Sequence, residues 1–245
     1  RWTPKFRSLV NAKYAADYTH YENQDAKLIQ TKNTYKQKEL YASCANLYNI
    51  MDNWEVSFSY DFQWNTLDAT FYMPTESDGT FPYPTRYTQM AALATAFEWG
   101  RLKGQASVLG YFAHEKVKRF EARPDKAVAT PAFFLSYKPF RRQDLSVRAF
   151  YKRMFRMPTF NDLYYTDMGN AFLKPEYAEQ FNVGLKYARS FMNMPALRMI
   201  DASVDAYHNL ITDKIIAYPK GQQFRWTMLN LGEVDIKGVD IALNS

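Results

Sequence analysis

The sequence predicts an all-β fold, an antiparallel meander of about ten long strands. Three observations predict it. Apolar and polar residues alternate strictly over long stretches, the period of a strand whose two faces meet different surroundings. Predicted connections alternate short and long, as in a meander whose long loops all lie at one end. The aromatic residues, 5 Trp, 19 Tyr and 18 Phe in 245 residues, concentrate on one strand parity although the mean hydropathy is −0.47.

Each strand is justified in turn by its residues. The first sets Phe6, Val10, Ala12, Tyr14, Ala16 and Tyr18 against Lys5, Arg7, Asn11, Lys13 and Asp17. The second, around Tyr41–Ile50, is strand-like with less clean faces. The third is the clearest. Trp54, Val56, Phe58, Tyr60, Phe62 and Trp64 hold one parity, and Glu55, Ser57, Ser59, Asp61, Gln63 and Asn65 hold the other, without exception. Tyr87–Gly100, Gln105–Ala113 and Ala127–Tyr137 supply the fourth to sixth. In the seventh, Leu145, Val147, Ala149 and Tyr151 oppose Ser146, Arg148 and Lys152. In the eighth, Tyr177, Phe181, Val183, Leu185 and Tyr187 oppose Gln180, Asn182 and Lys186. In the ninth, Ile200, Ala202, Val204 and Ala206 oppose Asp201, Ser203 and Asp205. In the tenth, Phe224, Trp226, Met228, Val234 and Ile236 oppose Arg225, Thr227, Glu233, Asp235 and Lys237. After Gly238 the apolar parity moves to Val239, Ile241 and Leu243, which predicts a β-bulge at the glycine.

Short connections are expected at Met51–Asn53, Leu102–Lys103, Phe140–Gln143 and around Ser190–Pro195. Long ones are expected at Glu22–Thr34, Asn65–Thr85, Glu115–Lys126, Met157–Lys174 and Thr212–Gln223. Two architectures fit. A soluble β-sandwich or barrel turns its apolar face inward. A transmembrane barrel turns it to lipid, with short turns at one rim and long loops at the other. Strand length, loop asymmetry, aromatics near strand ends and charge along one face favour the membrane barrel. Tyr14, Tyr18, Tyr137, Tyr151, Tyr187 and Trp226 are then candidates for interfacial girdles.

Composition excludes several classes. A chain this aromatic is not a disordered tail. Cys44 is the single cysteine, so there is no disulfide scaffold. No apolar run approaches the roughly 18 residues of a transmembrane helix. The net charge of +6 is spread thinly, with Arg141-Arg142 as a small cluster, and no basic stripe points to nucleic acid. Arg1-Trp2-Thr3-Pro4 leads into no apolar signal-peptide core.

Catalytic chemistry has no support in the sequence. There is no Ser-His-Asp order, phosphate-cradling glycine loop or CxxC pair, so neither an enzyme nor a cofactor is expected. His20, His114 and His208 fall near the long-loop rim, where a girdle or solvent-facing role outweighs metal ligation. Met154, Met157, Met168, Met192, Met194 and Met199 have no metal-site spacing. Asp201 and Asp205 share a strand face about 13 Å apart, too far for paired acid–base catalysis, and read as a polar wall.

The long loops are aromatic. Asn65–Thr85 carries Phe71, Tyr72, Phe81 and Tyr83. Met157–Lys174 carries Phe160, Asn161, Tyr164, Tyr165 and Phe172, and Thr212–Gln223 carries Tyr218 with Trp226 just beyond. Aromatics beside amides and carboxylates suit a large amphipathic ligand, through stacking and hydrogen bonds. The candidate ligand residues are therefore Tyr72, Phe81, Tyr83, Phe160, Asn161, Tyr164, Tyr165, Tyr218 and Trp226. Packing of the loops on themselves explains the same residues equally well.

One segment carries a family resemblance. It reads Phe155-Arg156-Met157-Pro158-Thr159-Phe160-Asn161-Asp162-Leu163-Tyr164-Tyr165, then Gly169-Asn170-Ala171-Phe172-Leu173-Lys174-Pro175-Glu176. Tyr207-His208-Asn209, Thr212-Asp213-Lys214-Ile215-Ile216, Asn230-Leu231-Gly232-Glu233 and Lys237-Gly238-Val239-Asp240 follow in order. The linked boxes resemble the late barrel of TonB-dependent outer-membrane receptors, and the opening strand through Lys13-Tyr14 and Tyr18-Thr19-His20-Tyr21 fits a mid-barrel strand of that family. The resemblance implies part of a transmembrane β-barrel of about 22 strands. It assigns structural roles to Arg156, Pro158, Asp162, Leu163, Gly169, Asn170, Leu173, Pro175, Glu176 and Gly238. It implies import of a large scarce solute (a siderophore, cobalamin or other metal chelate, or a glycan) across the bacterial outer membrane. The partners implied are outer-membrane lipid, the extracellular ligand, and the TonB energy-coupling complex acting through a plug. The plug, the coupling box and a terminal aromatic strand are not among these residues, so 1–245 is expected to be one partial barrel domain, truncated at both ends. Haem-type members place a His between the Arg-x-Pro and Leu-x-Pro-Glu boxes. Arg156 to Glu176 holds none, which counts against haem as cargo. Loops shorter than those of glycan importers lean toward a chelate.

Overall fold

A computed structural model describes residues 2–23, 31–72, 79, 81–165, 168–190, 199–220 and 225–244. The strands are β1 (Phe6–Asn23), β2 (Thr31–Met51), β3 (Trp54–Phe71), β4 (Pro84–Trp99), β5 (Leu102–Val117), β6 (Lys126–Tyr137), β7 (Asp144–Arg156), β8 (Glu176–Ser190), β9 (Met199–Lys220) and β10 (Arg225–Asn244). A short helix, α1 (Phe160–Tyr164), interrupts the β7–β8 connection. The strands form one sheet in sequence order, each antiparallel to the next. They run 12 to 22 residues, well beyond the five or six common in soluble proteins. Turns at 52–53 and 100–101 and the 138–143 connection share one rim. The connections at 72–83, 118–125 and 157–175 share the other.

Register divides the residues between two faces, because paired residues point the same way. The described residues of the 157–175 connection lie against the inner face, Phe160 packing on Tyr35, Leu67 and Ala69. That face is polar and cross-linked. Glu39 accepts from the Gln63 and Asn65 amides at 3.0 Å each and pairs with Lys13 at 3.3 Å. Lys186 pairs with Asp201 at 2.9 Å, and Arg148 forks onto Asp205. Asp201 and Asp205 are thus members of a charged wall, as their spacing predicts.

The outer face carries an exposed apolar belt. Val56, Phe58, Tyr60 and Phe62 of β3 stand beside Thr95, Leu93, Ala91 and Gln89 of β4. The belt continues through Val108 on β5, Phe133 and Leu135 on β6, and Val183 and Leu185 on β8. Aromatics bound it on the short-turn side. Trp54 meets Trp99 edge-on at 6.3 Å and donates through Nε1 to Thr95 Oγ1 at 2.9 Å, and Trp99 stacks on Phe97 at 4.4 Å. The Phe97 ring lies across Gly104, in the space a side chain there would fill. On the long-loop side the belt ends at His20, His114 and His208. Each meets a ring at 6.3–6.4 Å (Tyr72, Tyr87 and Phe181) and a carboxylate at 2.6–3.3 Å (Glu22, Asp125 and Asp235).

Some expectations change. The strands reach further into the predicted long loops, because pairing persists beyond the belt: β3 continues to Phe71 and β9 to Lys220. Tyr218 and Trp226 therefore sit on strands. The bulge expected at Gly238 is not there. Lys237↔His208 and Val239↔Ala206 keep one register across it, and among the described residues a register shift lies instead at Asn49/Met51. The parity flip has another cause. The outer residues of β10 read Glu233, Asp235, Lys237, then Val239, Ile241, Leu243, so Gly238 marks where the strand enters the belt. Trp226, Met228, Val234 and Ile236 face inward, which removes Trp226 from the lipid-side girdle. Gly238 instead leaves room for the Tyr207 ring, which a Cβ would strike. Met192, Met194, Phe224 and residues 191–195 of a predicted turn lie outside the described residues.

Candidate functional site

The candidate site is the mouth at the long-loop rim, organised by the 157–175 connection. Its local structure begins with a helix cap. Thr159 has extended backbone and no intrahelical partner for its N–H. Its Oγ1 accepts from Asp162 N at 3.1 Å, and Asp162 Oδ2 accepts from Thr159 N at 2.9 Å, a reciprocal capping box. The Asp162 carboxylate also takes Arg156 Nη2 at 3.1 Å. Arg156 reaches Glu176 at 3.7 Å, the residue paired with it across the last rung of β7–β8. Glu176 in turn accepts from Ile215 N at 2.9 Å.

The connection is tied to the wall on both sides. On one side Arg86 donates through Nη1 to the Pro158 carbonyl at 2.8 Å and through Nε to Glu115 at 2.8 Å, with its guanidinium 4.8 Å from the Phe160 ring centre. Arg86 and Glu115 are 8% and 4% exposed. On the other side Asn170 donates to the Met228 carbonyl at 3.0 Å, and Met228 N donates to the Met168 carbonyl at 2.8 Å. Asn230 accepts from Lys174 N at 2.8 Å and donates to the Asp213 carbonyl at 2.6 Å. Gly169 permits the fold-back: a Cβ there would sit 2.7 Å from the Leu163 carbonyl group. Leu163, Leu173 and Ile215 close a small buried cluster. Pro175, which has no N–H, leads the chain into β8.

The loop aromatics divide sharply. Phe81 and Phe160 are buried with Tyr35, Leu67 and Ala69, and Tyr83, Tyr164 and Tyr165 pack against them. Tyr35 meets Tyr165 at 5.2 Å, and Phe81 meets Tyr83 at 5.0 Å. Burial, with the Glu115 charge nearby, pushes the Tyr164 phenol up to about 12. These five aromatics form a core joining two connections. Asn161, Tyr72, Tyr218 and Trp226 are exposed. Tyr72 lies at the outer edge, with Lys32 Nζ 5.9 Å from its ring centre. Tyr218 shares the outer parity and Trp226 the inner one. The mouth thus brings Phe81, Tyr83, Phe160, Tyr164 and Tyr165 together and leaves Tyr72, Tyr218 and Trp226 apart.

Sequence reasoning missed Tyr35, Arg86, Glu115 and Arg123. No local signal marks them, since their partners are distant in sequence. Arg123 is the clearest case: Nη1 donates to the Ala171 carbonyl at 3.2 Å and Nη2 to the Leu173 carbonyl at 2.5 Å, 48 and 50 residues away. Among the described residues, no group of three or more His, Cys, Asp or Glu side chains is placed to hold a metal ion.

Comparison with known proteins places these observations. The family model described as TonB dependent receptor-like, beta-barrel, matches residues 1–245. The vitamin B12 transporter BtuB of Vibrio vulnificus (strain YJ016) is 38% identical over 87 residues, covering 36% of this chain and 13% of that protein. The copper transporter OprC is similar in structure at TM-score 0.66 and 15% identity, over 96% of this chain and 39% of that one. FpvA of P. aeruginosa, in complex with a heterologous pyoverdine and iron, matches at TM-score 0.61 and 11% identity, over 99% and 36%. The chain therefore spans well under half the length of these two structures and about an eighth of that BtuB.

Proposed function

The chain belongs to the TonB-dependent receptors, as part of their outer-membrane β-barrel, and on that premise we propose that it serves the import of a large, scarce metal chelate, with cobalamin the first candidate. The observation that carries the choice is the 38% identity to a vitamin B12 transporter. The likeness to OprC and FpvA is one of fold and does not separate cobalamin from a ferric siderophore. The ten strands act as one stretch of a larger closed barrel, in keeping with the 36–39% of the matched structures that they span.

The physical steps follow from the two faces. The outer belt holds the barrel in lipid. The mouth and the polar inner wall capture the chelate by non-covalent contacts, and no bond of the cargo is made or broken. Passage inward requires a plug moved by the TonB energy-coupling complex, a role that belongs to the whole receptor. The family match favours this reading over a passive porin-like barrel or a soluble β-rich ligand-binding domain.

The test is equilibrium binding of cyanocobalamin and of a ferric trihydroxamate to the purified full-length receptor. Saturable binding of cyanocobalamin, with none of the iron chelate, supports the reading. The opposite selectivity moves the cargo to siderophores, and binding of neither removes the chelate assignment.

A further inference from the structure

The ladder between β6 and β7 stops short. All twelve residues of β6 pair with β5, and all thirteen of β7 pair with β8, yet six rungs, Ala132↔Lys152 to Tyr137↔Val147, join β6 to β7. The same register would carry on through Pro131 with Arg153, Thr130 with Met154 and Ala129 with Phe155, and none of these rungs forms. Pro131 stands at the break and has no N–H to offer a further rung. The break lies at the depth of the apolar belt, because Pro131 and Ala129 pair with Val108 and Gly110. Unpaired backbone is costly at that depth, so strands in lipid ordinarily keep their ladder.

Side chains show what the strands do beyond the break. Tyr111 and Lys126 belong to the inner parity, with Ala113 and Glu115. Phe155 and Tyr177 belong to the outer parity, with Tyr151 and Phe181. Yet the rings of Tyr111 and Phe155 meet at 4.9 Å, and Lys126 Nζ lies 5.6 Å from the Tyr177 ring centre. Inner side chains of one strand pair touch outer side chains of the next only where the two pairs part and overlap at a free edge. The upper ends of β7 and β8 therefore lap over the inner side of β5 and β6. Phe155 fills the lap, 4.9 Å from Tyr111 and 5.3 Å from Tyr177.

The lap continues into the mouth. Arg156, next to Phe155, pairs with Asp162 and Glu176, which joins the 157–175 connection to the ends of β7 and β8. Towards β9 and β10 this unit is held by backbone. The β8–β9 ladder runs to Tyr177↔Thr212, and Met228 N donates to the Met168 carbonyl at 2.8 Å. Across the break it is held by side chains: Arg86 on the Pro158 carbonyl, and Arg123 on the Ala171 and Leu173 carbonyls. Side-chain ties exchange with water one at a time, whereas a ladder opens cooperatively.

We infer that the wall carries a lateral seam between β6 and β7. The upper ends of β7 and β8, with the 157–175 connection, form a flap that hinges at the Ala132/Lys152 rung, and Phe155 is its latch. Opening parts the wall within the belt and leaves the six lower rungs intact. The seam belongs to the wall itself and holds whichever cargo the receptor takes.

Hydrogen–deuterium exchange of the full-length receptor in lipid nanodiscs, without cargo, tests it. Segments 126–131 and 153–156 should exchange faster than 132–137 and 147–152, although all lie in strands. Phe155→Ala should speed exchange in the first two by about tenfold and leave the lower rungs unchanged, while Phe155→Leu stays near wild type. Lys126→Cys and Tyr177→Cys, joined by a short bis-thiol linker, should slow the seam segments alone. This linked variant keeps Phe155, so it tests the seam even if Phe155→Ala does not fold. Equal protection above and below the break overturns the inference. A Phe155→Ala effect spread evenly along β7, or a linked pair that exchanges as wild type does, overturns it as well.

Discussion

Arg86 and Glu115 form a buried ion pair, Nε and Nη2 lying 2.8 and 2.6 Å from Oε1, and Nη1 of the same guanidinium donates to the carbonyl of Pro158 at 2.8 Å. The pair joins neighbouring strands β4 and β5 and fastens the 157–175 connection to them. Removing one partner strands the other charge away from water. Arg86→Met or Glu115→Gln should therefore cost about 3–5 kcal/mol, read as a lower urea midpoint of the full-length receptor. Replacing both with apolar residues should cost less than either single change. Additive losses would show that the pair is not coupled.

Gly184 lies beneath another pair. Arg148 of β7 and Asp205 of β9 meet across β8, over the place where a side chain at Gly184 would stand. Gly184→Ala should destabilise by about 1–3 kcal/mol through overpacking. In an Asp205→Ala background the same substitution should be close to neutral. A cycle without coupling contradicts the geometry.

Tyr164 supplies a pH dependence. Its folded pKa is raised from 10 to about 12, so the folded state holds the proton more tightly than the unfolded chain. Its contribution to stability is full below pH 10 and is lost as pH rises through 12. In the ultraviolet difference between the receptor and Tyr164→Phe, the phenolate band should emerge near pH 12. Emergence near 10 would mean the ring is solvated.

The two faces of β3 should differ in tolerance of charge. Phe58→Lys places an ammonium in the apolar belt and should cost about 2–4 kcal/mol of stability in lipid. Ser57→Lys, one residue away on the polar face, should cost little. Equal losses would contradict the facing of the strand.

The strands were legible because their signal is local. A period of two needs only neighbouring residues, and the parity from Trp54 to Asn65 is the parity the sheet displays. Gly238 was misread for the same reason. A parity change looks alike whether a bulge turns the strand or its surroundings change from water to lipid, and only the ladder with β9 distinguishes them. The mouth was legible as a place but not as a set of contacts. Phe160 and Phe172 lie in one aromatic loop, yet one is 4% exposed and the other 92%, a division set by Arg86 and Arg123 from other connections and strands. The boxes around Arg156, Asp162, Gly169 and Asn170 are explained as the hydrogen-bonded frame of that loop.

One parity of these strands meets lipid and the other lines the inside of the barrel. Nitroxide scanning of β3, from Glu55 to Gln63 in the full-length receptor reconstituted in bilayers, reads this facing residue by residue. Oxygen accessibility should peak at Val56, Phe58, Tyr60 and Phe62. Accessibility to a water-soluble nickel chelate should peak at Ser57, Ser59 and Asp61. The opposite phase, or no period of two, would contradict the account.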